Sequence, residues 1–260
     1  MRLAFGLGYR GTDYHGWQIQ RGLPTVQDAV ERALGLFADA PVRTVCAGRT
    51  DARVHGLNQV VHVDTDVERP LFSWIRGTNR YLPADVAVLW CQQVADDFHA
   101  RRSALGRRYR YLVLESPVRP ALEAHAVGWT FRPLDAAAMR AAAACLIGEH
   151  DFSAFRAAEC QAVSPVKQLR EIRIDRRGAY WRFDFEANAF LQHMVRNLMG
   201  ALLRVGAGGE PPAWAGDVLA SRDRSRAAPT FAAEGLYFVG PYYDPRHAIP
   251  SEVAAMDWLP

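Results

Sequence analysis

One carboxylate, Asp51, sits within the stretch Cys46-Ala47-Gly48-Arg49-Thr50-Asp51-Ala52-Arg53-Val54-His55, with a guanidinium group two residues away on either side. An apolar lead-in delivers Gly48, and an apolar run, Val60-Val61-His62-Val63, resumes behind the polar cluster. The pattern places Asp51 in a turn between two strands. Nearby positive charge favours the ionised carboxylate. An ionised Asp in a rigid loop can serve as a nucleophile, a base or a metal ligand. The same residues also suit a solvated surface turn, and the loop alone leaves both readings open.

Two other segments carry chemistry-bearing side chains. From Phe98 to Tyr111 the chain is rich in arginine, including Arg101, Arg102, Arg107, Arg108 and Arg110. In a strand, Arg108 and Arg110 fall on one face and Tyr109 and Tyr111 on the other. Guanidinium beside phenol suits RNA, Arg meeting phosphates and the ring stacking on a base, and equally suits a sheet with one solvated and one core face. The second segment is a helix expected over Phe190–Val205. Leu191, Met194, Val195, Leu198, Leu202 and Leu203 form its core stripe, and His193, Arg196, Asn197 and Gly200 a second line at i, i+3, i+4 and i+7. A line ending in Gly suits close approach of a backbone or a ligand. Arg196, among apolar neighbours, requires an anionic partner; Asp51 is the expected one, a structural salt bridge elsewhere the alternative.

Other chemistries find less support. Asp64 and Asp66 lie at the far end of the strand leaving the Asp51 loop, so no carboxylate cluster for metal hydrolysis is evident. There is no GxSxG elbow, no GxxxxGK[ST], and no GxGxxG opening a helix. The four cysteines are scattered without a CxxC pair, which suits reduced core residues in a cytoplasmic protein rather than a zinc site. No apolar run reaches the roughly 18 residues of a membrane span, and no signal peptide is evident at the N-terminus. The net charge of +3 announces no polyanion partner, although Lys167 is the only lysine among 31 basic residues. A GC-rich genome produces the same bias without any function and is preferred to RNA binding as its explanation.

The elements that must hold these residues alternate along the chain. A strand over Arg2–Tyr9 is followed by a helix that Thr25 caps, with Asp28 in capping-box position. Strands are expected near Thr44–Ala47 and Gln59–Asp64, a helix from near Pro70, and a strand near Val86–Val94. The second half reads as a strand at Tyr109–Leu114, a helix at Asp135–Leu146 and strands at Leu169–Asp175 and Ala179–Glu186 around the turn Arg176-Arg177-Gly178. The helix from Phe190, another near Pro212–Ala220 and a last strand at Gly235–Val239 follow. The fold class is α+β: two similar α/β halves, residues 1–105 and 106–260, forming a mainly antiparallel sheet flanked by helices.

Gly48-Arg49-Thr50-Asp51-Ala52-x-Val54-His55 resembles the active-site motif of the TruA family of tRNA pseudouridine synthases. Gly11-Thr12-x-Tyr14-x-Gly16-Trp17-Gln18, Asp97-Phe98-His99-Ala100-Arg101, Arg108-Tyr109-x-Tyr111, Gly148-Glu149-His150-Asp151-Phe152, His193-Met194-Val195-Arg196-Asn197 and Ala233-Glu234-Gly235-Leu236-Tyr237 resemble further family segments, in order along nearly the whole chain. The resemblance implies isomerisation of uridine to pseudouridine at positions 38, 39 and 40 of the tRNA anticodon stem-loop. It also implies a cytoplasmic homodimer without metal or organic cofactor, and an RNA-binding cleft in a pseudouridine-synthase-like fold. Carried over, Asp51 is the catalytic residue and Tyr109 stacks on the target base. Arg196 pairs with Asp51, Leu236 lines the pocket, and Arg49 helps displace the base. Arg53, Arg80, Arg101, Arg108, Arg110 and His193 are further expected RNA contacts. One departure stands out: position 53 is Arg where the family motif most often has Gly. Either the backbone there is strained, or the loop takes a negative φ and Arg53 adds a phosphate contact.

Overall fold

In the computed structural model, which describes residues 1–250, the strands in chain order are β1 (Arg2–Tyr9), β2 (Val45–Cys46), β3 (His55–Asp64), β4 (Val86–Val94), β5 (Ala104–Glu115), β6 (Gly128–Thr130), β7 (Gly148–Asp151), β8 (Val166–Arg177), β9 (Tyr180–Ala187) and β10 (Leu236–Tyr243). The helices are α1 (Val26–Ala38), α2 (Leu71–Tyr81), α3 (Ala136–Ala144), α4 (Met194–Gly206) and α5 (Trp214–Ser221). They form two compact units, one of Met1–Arg107 with residues 237–250, the other of Arg108–Leu236. The division after Arg107 lies near the expected one, but the last strand lies in the first unit, whereas the sequence places all of 106–260 in the second half. Pairing explains the difference: Tyr237 and Phe238 lie parallel to His55 and Gly56, a partner no local signal identifies. Residues 251–260 of that expected half lie outside the described residues.

In the first unit the strand order is β4-β1-β3-β10, with β2 on β3. β1 runs antiparallel to both β3 and β4. Leu3, Phe5, Leu7 and Tyr9 alternate into a core with Val30, Leu34 and Trp74 from α1 and α2. The Trp74 ring meets Phe5 at 6.0 Å and Phe37 at 5.1 Å, both edge-on. Ala4 and Val60 face a second cluster with Phe98, Ala100 and Tyr243. Burial on both faces explains why alternation in β1 is weak in the sequence. α1 starts after Thr25, as expected, but without a side-chain cap. The carbonyls of Gly16 and Trp17 take the Val26 and Gln27 N–H groups instead, at 3.2 and 2.9 Å.

In the second unit the order is β5-β9-β8-β7, with β6 parallel on β5. β8 and β9 form the expected hairpin, turning at Gly178 with φ 59. Trp181, Phe183, Phe185 and Ala187 of β9 are buried, and Arg182, Asp184 and Glu186 alternate with them on the more open face. Asp135 caps α3, accepting from the Ala137 and Ala138 N–H groups at 2.7 and 3.1 Å. β6 and β7 are too short for periodicity to reveal. Both units are α+β, with mostly antiparallel pairing. No helix among the described residues is long and apolar enough to cross a membrane.

Candidate active site

The Asp51 turn is built from the backbone outward. Ala47 N–H bonds to Val60 O at 2.8 Å, extending the β2–β3 pairing by one step. The buried Gln59 side chain then clamps Gly48, donating to its carbonyl at 2.5 Å and accepting its N–H at 3.4 Å. Arg49 is exposed, Thr50 buried and Asp51 half-buried. The Val54 N–H closes the turn onto Asp51 O at 3.2 Å. β3 begins at His55, earlier than the sequence suggests, because the turn is this tight.

A second loop braces the first from outside. Thr50 O accepts the Trp17 N–H at 3.0 Å, and the Arg53 N–H reaches Tyr14 O at 3.1 Å. Gly16 makes this approach possible: its φ is +89, and a Cβ there would lie 2.6 Å from Thr50 O. Below the turn, Tyr9 OH and Thr50 Oγ1 share a buried hydrogen bond of 2.8 Å. His55 Nδ1 accepts the Gly11 N–H at 3.1 Å, and its ring stacks on Tyr237 with centroids 4.7 Å apart. Burial pushes the Tyr9 and Tyr237 phenols well above their ordinary range, so both stay neutral.

Arg53 takes φ 68, in the left-handed region. Of the two possibilities left open by the sequence, the negative φ is excluded. The turn has the shape a glycine favours, and an exposed arginine occupies it. Arg101 is exposed and its Nη2 lies 3.8 Å from Cys46 Sγ, which brings it to the start of the loop. Arg107 is more closely involved: its Nη2 donates to Ala47 O at 3.1 Å and to Arg101 O at 2.6 Å. Arg80 is exposed on the last turn of α2. Arg49, Asp51, Arg53 and Arg101 thus gather around one loop. The sequence reading missed Tyr9, Gln59 and Arg107 as supports; a buried glutamine within an apolar strand was the signal available.

The remaining candidates lie in the second unit. The half-buried Tyr109 ring stands edge-on to Phe190, centroids 5.1 Å apart. Arg108 is half-buried, and Arg110 Nε donates to Asp184 Oδ1 at 2.7 Å. Leu236 is 3 % exposed. The helix expected from Phe190 begins only at Met194. His193 precedes it with φ 61, so the second line of side chains loses its first member to a left-handed turn. Arg196 Nε donates to Phe231 O at 2.9 Å, and Arg196 O accepts the Phe231 N–H at 3.2 Å. Asn197 is fully buried, donating to Phe155 O at 2.8 Å and accepting from Thr230 Oγ1 at 2.6 Å. Gly200 lets the backbone approach: a Cβ would lie 2.2 Å from Pro229 O. Arg196, Asn197 and Gly200 thus each meet the segment 229–231.

Comparison with known proteins gives one consistent result. A family model described as tRNA pseudouridine synthase matches residues 142–244. The chain is 70 % identical, over all of both chains, to a protein of Methylibium petroleiphilum named tRNA pseudouridine synthase A. It is 59 % identical over all of both chains to the protein of that name from Polaromonas naphthalenivorans. With the one from Variovorax paradoxus it shares 60 % identity, covering 97 % of this chain and 95 % of that one. Among solved structures, the chain is similar to one titled a Cbf5-Nop10-Gar1 complex at 14 % identity and TM-score 0.36, covering 78 % of this chain and 45 % of that one, too distant to carry an argument. Identity this high over the full length leaves one conclusion: the chain belongs to the tRNA pseudouridine synthase A family.

Proposed function

We propose that this chain, an isomerase that converts uridine to pseudouridine in tRNA, acts at positions 38, 39 and 40 of the anticodon stem-loop with Asp51 as its catalytic residue. The observation that carries the residue assignment is the Asp51 turn itself. A half-buried carboxylate stands between Arg49 and Arg53, on a backbone held by Trp17, Tyr14 and Gln59, with Tyr9 bonded to the neighbouring Thr50 hydroxyl. Such fixation keeps a reacting group in place without reorganisation during the reaction.

Pseudouridine formation breaks the bond from N1 to C1′ and joins C1′ to C5 of the same uracil, with the proton of C5 lost and one gained at N1. No net electron transfer occurs, so the reaction requires neither a redox cofactor nor an energy source. A carboxylate suffices, whether it attacks C1′, attacks C6 or takes the C2′ proton. The target base must leave its stack, which costs a few kcal/mol and calls for an aromatic and apolar receptor. In this reading Tyr109 stacks on the base and Leu236 lines its pocket. Arg196 is the counter-charge of Asp51, and Arg49 helps displace the base. Arg53, Arg80, Arg101, Arg108, Arg110 and His193 contribute RNA contacts. The working form is a cytoplasmic homodimer.

Mapping of pseudouridine in an anticodon-arm transcript tests the assignment. Asp51→Asn and Asp51→Ala should abolish product while leaving tRNA affinity within about two-fold, since neither removes a phosphate contact. Substantial turnover by either variant rules out Asp51 as the catalytic group.

A further inference from the structure

A cavity of about 420 Å³ in the second unit is lined by Ser153, Arg156, Ala157, Arg222, Asp223 and Arg224 among others. None of these residues has a place in the reaction described above. Arg224 is fixed from behind, donating to Ala228 O at 2.9 Å, Asn197 Oδ1 at 3.1 Å and Thr230 Oγ1 at 3.1 Å. Arg156 bonds to the carbonyl of Cys160, and Arg222 Nε lies 3.4 Å from Asp151 Oδ2. Arg156 also acts on the Asp151 carboxylate through its charge. Of the two carboxylates nearby, Asp223 is bonded within its own loop, while Asp151 keeps one oxygen on Ser153 and the other toward Arg222. Asp151 Oδ1 accepts the Ser153 N–H and hydroxyl at 2.9 and 2.6 Å, and Asp223 Oδ1 those of Ser225 at 2.9 and 2.7 Å. Three guanidinium groups thus converge on one opening with donor capacity to spare.

The backbone of Arg222 supplies an independent observation. It follows α5 with φ 55 and ψ 15, at the left-handed position where helices favour glycine or asparagine. Its side chain is 68 % exposed, so burial does not compensate for the strained backbone. A strained residue that no packing explains points to a use for its side chain.

We propose that this cavity binds a phosphodiester of the tRNA backbone, with Arg156 and Arg222 donating to its oxygens and Arg224 as the fixed charge behind them. Guanidinium forks match phosphate oxygens in pairs, and a charge already anchored by Asn197 loses little freedom on binding. The proposal rests on the reading of tRNA as substrate and adds to it a contact beyond the target nucleotide.

The test measures tRNA binding by Arg222→Gly and Arg222→Ala at several salt concentrations, together with thermal melting. Both variants should bind tRNA about three- to ten-fold more weakly, and the slope of log K against log salt should shrink by about 0.7–0.9. The glycine variant should melt no lower than the parent, because glycine suits φ 55. Stability and affinity then move independently, which a purely structural arginine does not allow. Arg156→Ala should weaken binding to a similar degree. Affinity and salt slope equal to the parent in both Arg222 variants overturn the proposal. A second arm titrates inorganic phosphate. If phosphate binding is lost in Arg222→Gly while tRNA binding is unchanged, the cavity takes a free anion and the RNA assignment falls. The readout is binding, so a parent protein that binds tRNA without forming pseudouridine refutes the isomerase reading and leaves this test intact.

Discussion

The Tyr9 hydroxyl lies 2.8 Å from Oγ1 of Thr50, the residue before Asp51, and both residues are buried. The bond fastens the end of β1 to the base of the turn that carries the carboxylate. Tyr9→Phe removes the hydroxyl and keeps the ring, which packs 6.0 Å from Trp17. It should lower kcat about ten-fold with little change in KM, as loosened positioning does. Thr50→Val should match it, the double variant should be no worse than either single one, and Thr50→Ser should retain activity. A Tyr9→Phe enzyme with undiminished kcat removes the hydroxyl from any positioning role.

Arg53→Gly separates strain from recognition. An L-residue in the left-handed region costs about 1–2 kcal/mol, and the extra chain entropy of glycine offsets about 0.5–1 kcal/mol of the relief. Melting should therefore shift upward slightly or not at all. If Arg53 contacts phosphate, tRNA affinity should fall and its salt dependence flatten. Unchanged affinity across salt concentrations would leave the arginine without a role in RNA binding.

Tyr109 can be tested by its ring. Stacking of a base on an aromatic side chain is worth about 1–3 kcal/mol. Tyr109→Phe keeps the ring and its edge contact with Phe190, whereas Tyr109→Ala loses both. Pseudouridine formation should fall roughly ten- to hundred-fold in the alanine variant and much less in the phenylalanine variant. Equal losses argue against stacking.

His62 sets a pH limit on the first unit. It is 4 % exposed, and its Nδ1 accepts the Ala100 N–H at 3.1 Å, a bond that requires the unprotonated nitrogen. Burial, followed by the positive charge of Arg2, lowers its pKa from 6.5 to about 4. The folded state thus resists a proton that the unfolded chain accepts. The resulting stability is fully present above pH 6.5 and declines as pH falls toward 4. In His62→Asn, whose amide oxygen can accept the same N–H, the fall in melting temperature across that window should be smaller. An unaltered pH profile would locate the acid sensitivity elsewhere.

The candidate residues were legible in the sequence because their motifs are local. Asp51 between two arginines, the tyrosine–arginine strand and the α4 motif can each be read from a dozen positions or fewer, and most helices and strands announce themselves by period. What needed tertiary structure was whatever depends on a distant partner. β10 joins β3 because Tyr237 and Phe238 find His55 and Gly56, so residues 237–250 return to the first unit. Thr25 loses its capping bond to carbonyls from the Gly16–Trp17 loop, and His193 turns left-handed just before α4. The sign of φ at Arg53 follows from the same cause. Backbone bonds from Tyr14 and Trp17 hold the Asp51 turn in a shape where position 53 takes a glycine-like conformation.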